Sequence, residues 1–595
     1  MRSPSNPNTR WVGLTVFLFA FAVYAPSIWF EYVHFDGIHL LQQYRSLYDG
    51  PFLEAMGNIF TQLPREEPLF VRDLSWLIDS RVFGYGNPFG YHLINVILNA
   101  GQALLASMIL SRIFARKEVV VTLSLLYVLV PVRAEPVATV MGRKDLLSTL
   151  FMLFGIICWD SFLRTRRPLP YALSLAAVPL AMLSKISALA LGPILLLWAW
   201  SRRRSGEETH QYLHARGYLP ALVPHALFTI VITAWYHQQL AAWGNLGRGP
   251  EFAAYLPVWL RLAPVAFVEN LKVMASPFQH VIFYQFPSVG LPISVPYLVF
   301  CWSVTLGFLA FTLWLLVRRK TAGAMFAAYL VQMLPYMNLE YIGIWVADRY
   351  LLLPSLWILA GLGCLFVQAT EAEPRIARGL RAGVVCVGLF WLLGLVLQLP
   401  KYHDQRTLHE HQITLPDPPI HSFRDLASLY LSEAEERPEG DPARAWFLER
   451  ALFVIDEGIE TFESLGFVDD RRFSIHPIHY YSNLLHFKGR AVLLTTGSKR
   501  DAVEWMRKAK EIVETDSVNL TWLVVVLADW ASEVSGPERQ AHLRASFGHF
   551  ETLVNMNPGD VSMRPRLLAL LERAYEDHFE SHRERLEAYR RFLER

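Results

Sequence analysis

Residues 131–151 read PVRAEPVATVMGRKDLLSTLF. The stretch joins the apolar runs 119–132 and 146–163, yet it carries Arg133, Glu135, Arg143, Lys144 and Asp145. Charges at a bilayer boundary are expensive and usually face a site rather than lipid. A second boundary, EYVHFDGIHLL at 31–41, follows the first apolar run (11–30) and places Asp36 a few residues beyond a membrane edge. An acid at one exit and cations at another suit a reaction at the membrane surface. A base would activate an acceptor there, and cations would hold an anionic lipid carrier.

Outward from these stretches the composition agrees. The chain has 595 residues, 53% hydrophobic, with a mean hydropathy of +0.26. The apolar excess lies in residues 1–400, while 401–595 reads as water-soluble. The expectation is an all-α protein: a polytopic membrane domain over 1–400, with a first outer loop at 31–91, then a soluble helical domain over 401–595. The net charge of +2 gives no global field for nucleic acid. The cysteines, Cys158, Cys301, Cys364 and Cys386, lie in apolar segments without zinc or redox spacing. The N-terminal run is about 20 residues, long enough to span. No small-residue cleavage site follows it, so it reads as a retained first helix.

Apolar segments near 11–30, 92–113, 119–132, 146–163, 170–184, 186–200, 217–238, 294–317, 322–338, 350–369 and 382–399 give about eleven spans, several short enough to pair or tilt. Residues 256–276 are amphipathic and read as interfacial. Arg112/Arg116/Lys117, Arg164/Arg166/Arg167, Arg202–Arg204, Arg318–Lys320 and Arg375/Arg378/Arg381 mark alternate loops as cytoplasmic. The N-terminus is then inside, and the loops 31–91, 133–145 and 339–349 and the C-terminal domain are outside. The 133–145 loop carries Arg133, Arg143 and Lys144 against that bias. In 401–595 the pattern is helical. Ala502, Met506 and Ala509, spaced 4 and 3, and the stop Asn557-Pro558 fit tetratricopeptide-like repeats; a generic helical bundle is the alternative.

Each candidate residue has two readings. Asp36 is a general base or the N-cap of an interfacial helix. Arg133, Glu135, Arg143, Lys144 and Asp145 form a phosphate clamp or a mutually satisfied salt-bridge cluster. Lys185, in LSKISALALGP, meets an anion or snorkels to the interface. Asp348 and Arg349, in WVADRYLLLPS, serve the site or anchor a helix as a local pair. His92 and Asn95 share a helical face, where a lone His is often a packing residue. The chain has no P-loop, GxSxG or HExxH motif, so nucleotide hydrolysis, serine hydrolysis and a dedicated metal site lack support.

These blocks resemble the transmembrane and tetratricopeptide-repeat-containing O-mannosyltransferases and their bacterial relatives, of the GT-C class. Asp36 falls where that family has an Asp-Asp pair. Arg72, His92 and Asn95 match its Arg-Pro-Leu and Tyr-His-Leu-x-Asn segments. Glu135, Val137, Gly142, Arg143, Asp145, Leu146 and Leu147 match its Glu-x-Val-x-x-x-x-Gly-Arg-x-Asp-Leu-Leu block. LSK at Lys185 and ADRYLLLPS at Arg349 are similar to two further blocks, and SFRDLASLYL looks like its first repeat. This chain departs at Gly37, Asp73, Asn99 and Ile186, where the family has Asp, Pro, His and Glu.

The resemblance implies an inverting transferase that takes a sugar, mannose or a similar hexose, from a polyprenyl-phosphate carrier on the outer face of a bacterial inner membrane. Asp36 would be the base; Arg349, Arg143 and Lys185 would bind the donor phosphate; Arg72, His92, Asn95, Glu135, Asp145 and Asp348 would support the site. No cofactor or metal is required. The partners implied are the lipid-linked sugar, membrane lipids and an acceptor polypeptide on the repeats. Gly37 and Ile186 also suit a non-catalytic envelope scaffold, and a glycolipid or glycan acceptor is a further alternative.

Overall fold

The computed structural model describes residues 7–33, 41, 45–65, 67–204, 215–243, 252–276, 278, 280–282, 284, 293–318, 320–338, 344–372, 374–465 and 475–556. Asp36, Gly37 and the Asn557-Pro558 stop lie outside them. The described residues are helical or irregular, with no strand among them. The chain divides into two units, the second taking over at Gln412.

The helices of the first unit include α1 (Pro7–Tyr24), α2 (Phe70–Phe83), α3 (Pro88–Ile113), α4 (Lys117–Leu129), α5 (Ala134–Ala138), α6 (Arg143–Thr165), α7 (Pro168–Met182), α8 (Leu191–Arg204), α9 (Ala215–Trp243), α10 (Phe252–Ala275), α11 (Val295–Val317), α12 (Thr321–Met333), α13 (Leu352–Ala372) and α14 (Pro374–Gln398). Among the described residues, seven helices are long and apolar enough to cross a membrane: Trp11–Trp29, Pro88–Ile113, Val140–Thr165, Tyr218–Trp243, Val295–Val317, Asp348–Ala372 and Arg378–Tyr402. An eighth is counted if Lys117–Leu129 and Pro131–Ala138, bent by 57°, form one broken span. Leu227, Ile230, Val299, Leu313, Val385 and Leu389 stand exposed on these helices, as lipid-facing residues do when every backbone group is satisfied within its helix.

The remaining expected spans, 170–184, 186–200 and 322–338, are helices of 15, 14 and 13 residues. Each is short of the roughly 20 residues that a hydrocarbon core needs. The chain leaves helical geometry beside them: Lys185 is extended (φ −159°, ψ 127°) between α7 and a 3-10 turn, and Leu334–Tyr336 forms another such turn after α12. Chain that would lengthen these helices instead places Lys185, Ser187 and Tyr336 around one cavity.

The break after α4 has a local cause. Val130 precedes Pro131 and sits at ψ 122°, because proline disfavours the helical region for the residue before it. The chain then makes a 3-10 turn, the short α5 and a second 3-10 turn (Val140–Gly142) before α6. This reversal needs Gly142: a Cβ there would stand 2.0 Å from the Pro136 carbonyl oxygen.

The second unit contains α15 (Ile420–Glu435), α16 (Pro442–Ser464), α17 (Ile475–Thr496), α18 (Lys499–Ile512), α19 (Ser517–Glu533) and α20 (Gly536–Met556). They pack as neighbours in sequence, α15 on α16, α17 on α18 and α19 on α20. Asp441, Ser498 and Asp516 cap the starts of α16, α18 and α19 by accepting from backbone N–H groups. Ala502, Met506 and Ala509 are fully buried. Close approach of α17 to α18 rests on Gly489, whose Cβ would meet the Ala502 carbonyl at 2.8 Å.

Candidate active site at the broken span

The Arg143-Lys144-Asp145 run opens α6, where successive side chains step by roughly 100° around the axis. The three charges therefore reach three different partners. Arg143 is fully buried. It donates to Asn95 Oδ1 at 2.6 Å and the Tyr91 carbonyl at 2.8 Å and pairs with Asp79 at 2.7 Å. Asn95 continues the bracket through Nδ2 to the Thr139 carbonyl at 2.8 Å. Lys144 turns to Glu67 at 2.7 Å. Asp145 turns the other way, to the Lys185 ammonium.

Lys185 and Arg349 each meet a buried carboxylate beside a common cavity. Arg349 Nη1 donates to Glu135 Oε1 at 2.6 Å, and the Arg349 backbone N–H donates to Glu135 Oε2 at 3.1 Å. Lys185 Nζ, paired with Asp145, also lies 5.3 Å from the Tyr336 ring centroid and 5.1 Å from that of Tyr350. Those rings stack at 4.1 Å and 13°, and Ser187 Oγ shares a 2.8 Å hydrogen bond with the Tyr336 hydroxyl. Cations over aromatic faces gain electrostatic stabilisation. Asp145, Lys185, Ser187, Tyr336, Arg349 and Tyr350 all line the cavity; Arg143 is not among its lining residues.

Asp348 points away from its neighbour. It is fully buried, 2.7 Å from His280 Nδ1, and accepts from the Tyr284 hydroxyl at 2.5 Å. His280 Nε2 lies 2.8 Å from the Ser276 carbonyl. Burial alone would lower the His280 pKa, but the Asp348 carboxylate and its hydrogen bond raise it above the ordinary value. The same burial and carboxylate push Tyr284 well up.

The other expected residues lie in buried polar contacts. Arg72 is buried, contacts Glu67, bonds Asp73 at 2.9 Å and lies 4.8 Å over Trp76. Burial would raise the Glu67 pKa, but Lys144 and Arg72 together hold it down to about 2. His92 is fully buried with Nε2 3.3 Å from the Glu31 carbonyl. Asn99, a departure from the family pattern, accepts from Arg133 Nη2 at 2.5 Å, and Gln102 accepts from the same nitrogen at 2.8 Å. Asp73, another departure, pairs with Arg65 at 3.1 Å as well as with Arg72. Among the described residues no group of three or more His, Cys, Asp or Glu is placed to hold a metal ion.

No family model matches the chain. A stretch of 85 residues is 31% identical to Protein O-mannosyl-transferase tmtc2 of Xenopus laevis, covering 14% of this chain and 10% of that protein. The kinship this supports is loose, since the match spans a tenth of the relative's length.

Residues missed in the sequence are those brought in from afar. Glu67, His280, Tyr284, Gln332 and Tyr336 sit in no recognisable motif, and the contacts of Glu67 with Lys144, and of His280 and Tyr284 with Asp348, span 77, 68 and 64 positions. The one available signal was ionic: a Lys between two apolar runs needs water or an anion, and Asp145 is an acid in a neighbouring block.

Proposed function

We propose that the protein is a membrane glycosyltransferase that moves a hexose from a polyprenyl-phosphate carrier to a hydroxyl of an extracytoplasmic polypeptide, with inversion. The observation that carries this is the pair of cations, Arg349 and Lys185, at one polar cavity beside a broken span. The partial likeness to an O-mannosyl-transferase agrees with it. The acceptor hydroxyl loses its proton to Asp36 as its oxygen attacks the anomeric carbon. The bond from that carbon to the phosphate oxygen breaks, and the carrier phosphate leaves with the electron pair. Arg349 and Lys185 stabilise the charge that develops on the leaving phosphate. Arg143, held by Asn95, Asp79 and the Tyr91 carbonyl, positions the start of α6 and hence Asp145. The helical pairs of the second unit act as tetratricopeptide-like repeats that present the acceptor, on the outer face of a bacterial inner membrane.

Asp36→Asn tests the base. Asn keeps the size and the capping ability but cannot take the proton, so transfer falls roughly 10²- to 10⁴-fold while donor binding holds. Equal rates for the two proteins would remove Asp36 from the mechanism. One observation favours a second reading, a non-catalytic scaffold: Arg349 and Lys185 already face Glu135 and Asp145, as charges in a purely structural brace would. A wild-type protein that binds no lipid-linked sugar would support it.

A further inference from the structure

The cavity beside Lys185 has a second property. Its volume is about 10 Å³, room for roughly one water or one hydroxyl. Two acceptors on its wall are buried and have no hydrogen-bond partner among the described residues: Asp145 Oδ2 and Gln332 Oε1. Asp145 uses Oδ1 for Lys185. Gln332 turns its amide nitrogen to the Met152 sulfur, 4.0 Å away, which leaves its oxygen aimed elsewhere. Both residues are only 3% exposed. Buried acceptors left unpaired are costly, and most find a donor.

The chemistry of the occupant follows from the wall. A carboxylate oxygen and an amide oxygen repel a phosphate oxygen and attract an O–H group. The phosphate therefore stays on the cations, and a neutral hydroxyl enters. A sugar is bonded directly to its carrier phosphate, so a phosphate held by Lys185 and Arg349 brings sugar hydroxyls to the cavity. The acceptor polypeptide offers a hydroxyl that is consumed in attack and cannot remain on Asp145.

We propose that this cavity reads one hydroxyl of the donor sugar, whose single O–H is shared between Asp145 Oδ2 and Gln332 Oε1 in a three-centre hydrogen bond, and that Gln332 is a specificity-determining residue. The proposal rests on the donor reading of the site above. A site built to bond a substrate hydroxyl rejects the analogue that lacks it far more strongly than an apolar pocket rejects a missing methylene.

The test is donor binding without acceptor, using the full chain in lipid nanodiscs. The probes are polyprenyl-phosphate mannose, glucose and galactose, then every monodeoxy analogue of the tightest binder. Wild type should lose roughly 10- to 100-fold in affinity at one deoxy position and little at the others. Gln332→Leu should weaken the parent donor and leave that one deoxy donor nearly unchanged, so that selectivity at that position shrinks and selectivity elsewhere stays. A flat deoxy profile with a tightly bound parent donor would overturn this proposal alone and assign the cavity to a water. Equal weakening of every donor by Gln332→Leu would do the same, since that is a merely structural effect. No binding of any phospho-sugar by wild type would overturn the donor reading and this proposal together.

Discussion

Arg349 is the residue on which the proposed donor site and the fold compete, and a double substitution separates them. Its guanidinium meets the Glu135 carboxylate at 2.6 Å, with the two side chains 11% and 4% exposed. Arg349→Met alone strands a buried carboxylate. Breaking such a pair by removing one partner destabilises by about 3–5 kcal/mol, and the residual exposure of Arg349 puts it near the lower figure. Donor affinity also falls, by roughly 1.5–3 kcal/mol for a lost charge-assisted phosphate contact, or about 10- to 150-fold. The single variant thus mixes two effects. Adding Glu135→Gln neutralises the stranded charge and keeps an acceptor for the Arg349 backbone N–H, which bonds Glu135 at 3.1 Å. The double variant should regain most of the thermal stability, because neutral replacement of a buried ion pair is often close to neutral in energy. Donor affinity should stay low. Thermal unfolding in detergent and titration with polyprenyl-phosphate sugar read the two quantities on one sample. Donor affinity that returns together with stability would show that Arg349 only braces Glu135, and the phosphate site would have to lie elsewhere.

Three further outcomes are expected. Gly142→Ala should lower the melting temperature and the folded yield, by about 1–3 kcal/mol or more, because its Cβ would meet Pro136 backbone atoms at 2.0 and 2.5 Å; Gly57→Ala, with nothing within 4 Å of its Cβ, is the control, and an unchanged Gly142→Ala melt would contradict the geometry. Glu67, held at about 2 against an ordinary 4.5, contributes stability that is present above pH 4.5 and lost as pH falls toward 2; Glu67→Gln should flatten the acid limb of a stability profile in that window, and identical limbs would refute the Lys144–Glu67–Arg72 link. On the proposed topology, in which the basic loops are cytoplasmic, a phosphatase fused after residue 556 should be active and a fluorescent protein there dark; fluorescence without phosphatase activity would reverse it.

How far this site could be read from the chain is a matter of sequence distance. The apolar runs became helices because hydrophobic length is a local property, and the Pro131 break was equally local. Reading Arg143 and Asp145 as parts of one clamp treated neighbours in sequence as neighbours in space. Helical geometry opposes this: Arg143 and Asp145 are two residues apart, so they point about 200° apart, and only one of them can face the cavity. The spacing of the Gly-Arg-x-Asp block thus already contained a division between a residue that holds α6 and a residue that faces the site. What no spacing contained is the partner of each charge. Arg349 is completed by Glu135, 214 positions away, and Lys185 by Asp145, 40 positions away. Such pairings depend on which helices the fold sets side by side, and periodicity within a segment carries no record of that. The three short helices show the same limit from another side. Their apolar runs were already only 15 to 17 residues long, and the chain leaves helical geometry beside them where Lys185, Ser187 and Tyr336 converge. Irregular backbone within a membrane is tolerated only where it is enclosed by protein or lines a cavity, and here it lines the cavity of Lys185, Ser187 and Tyr336.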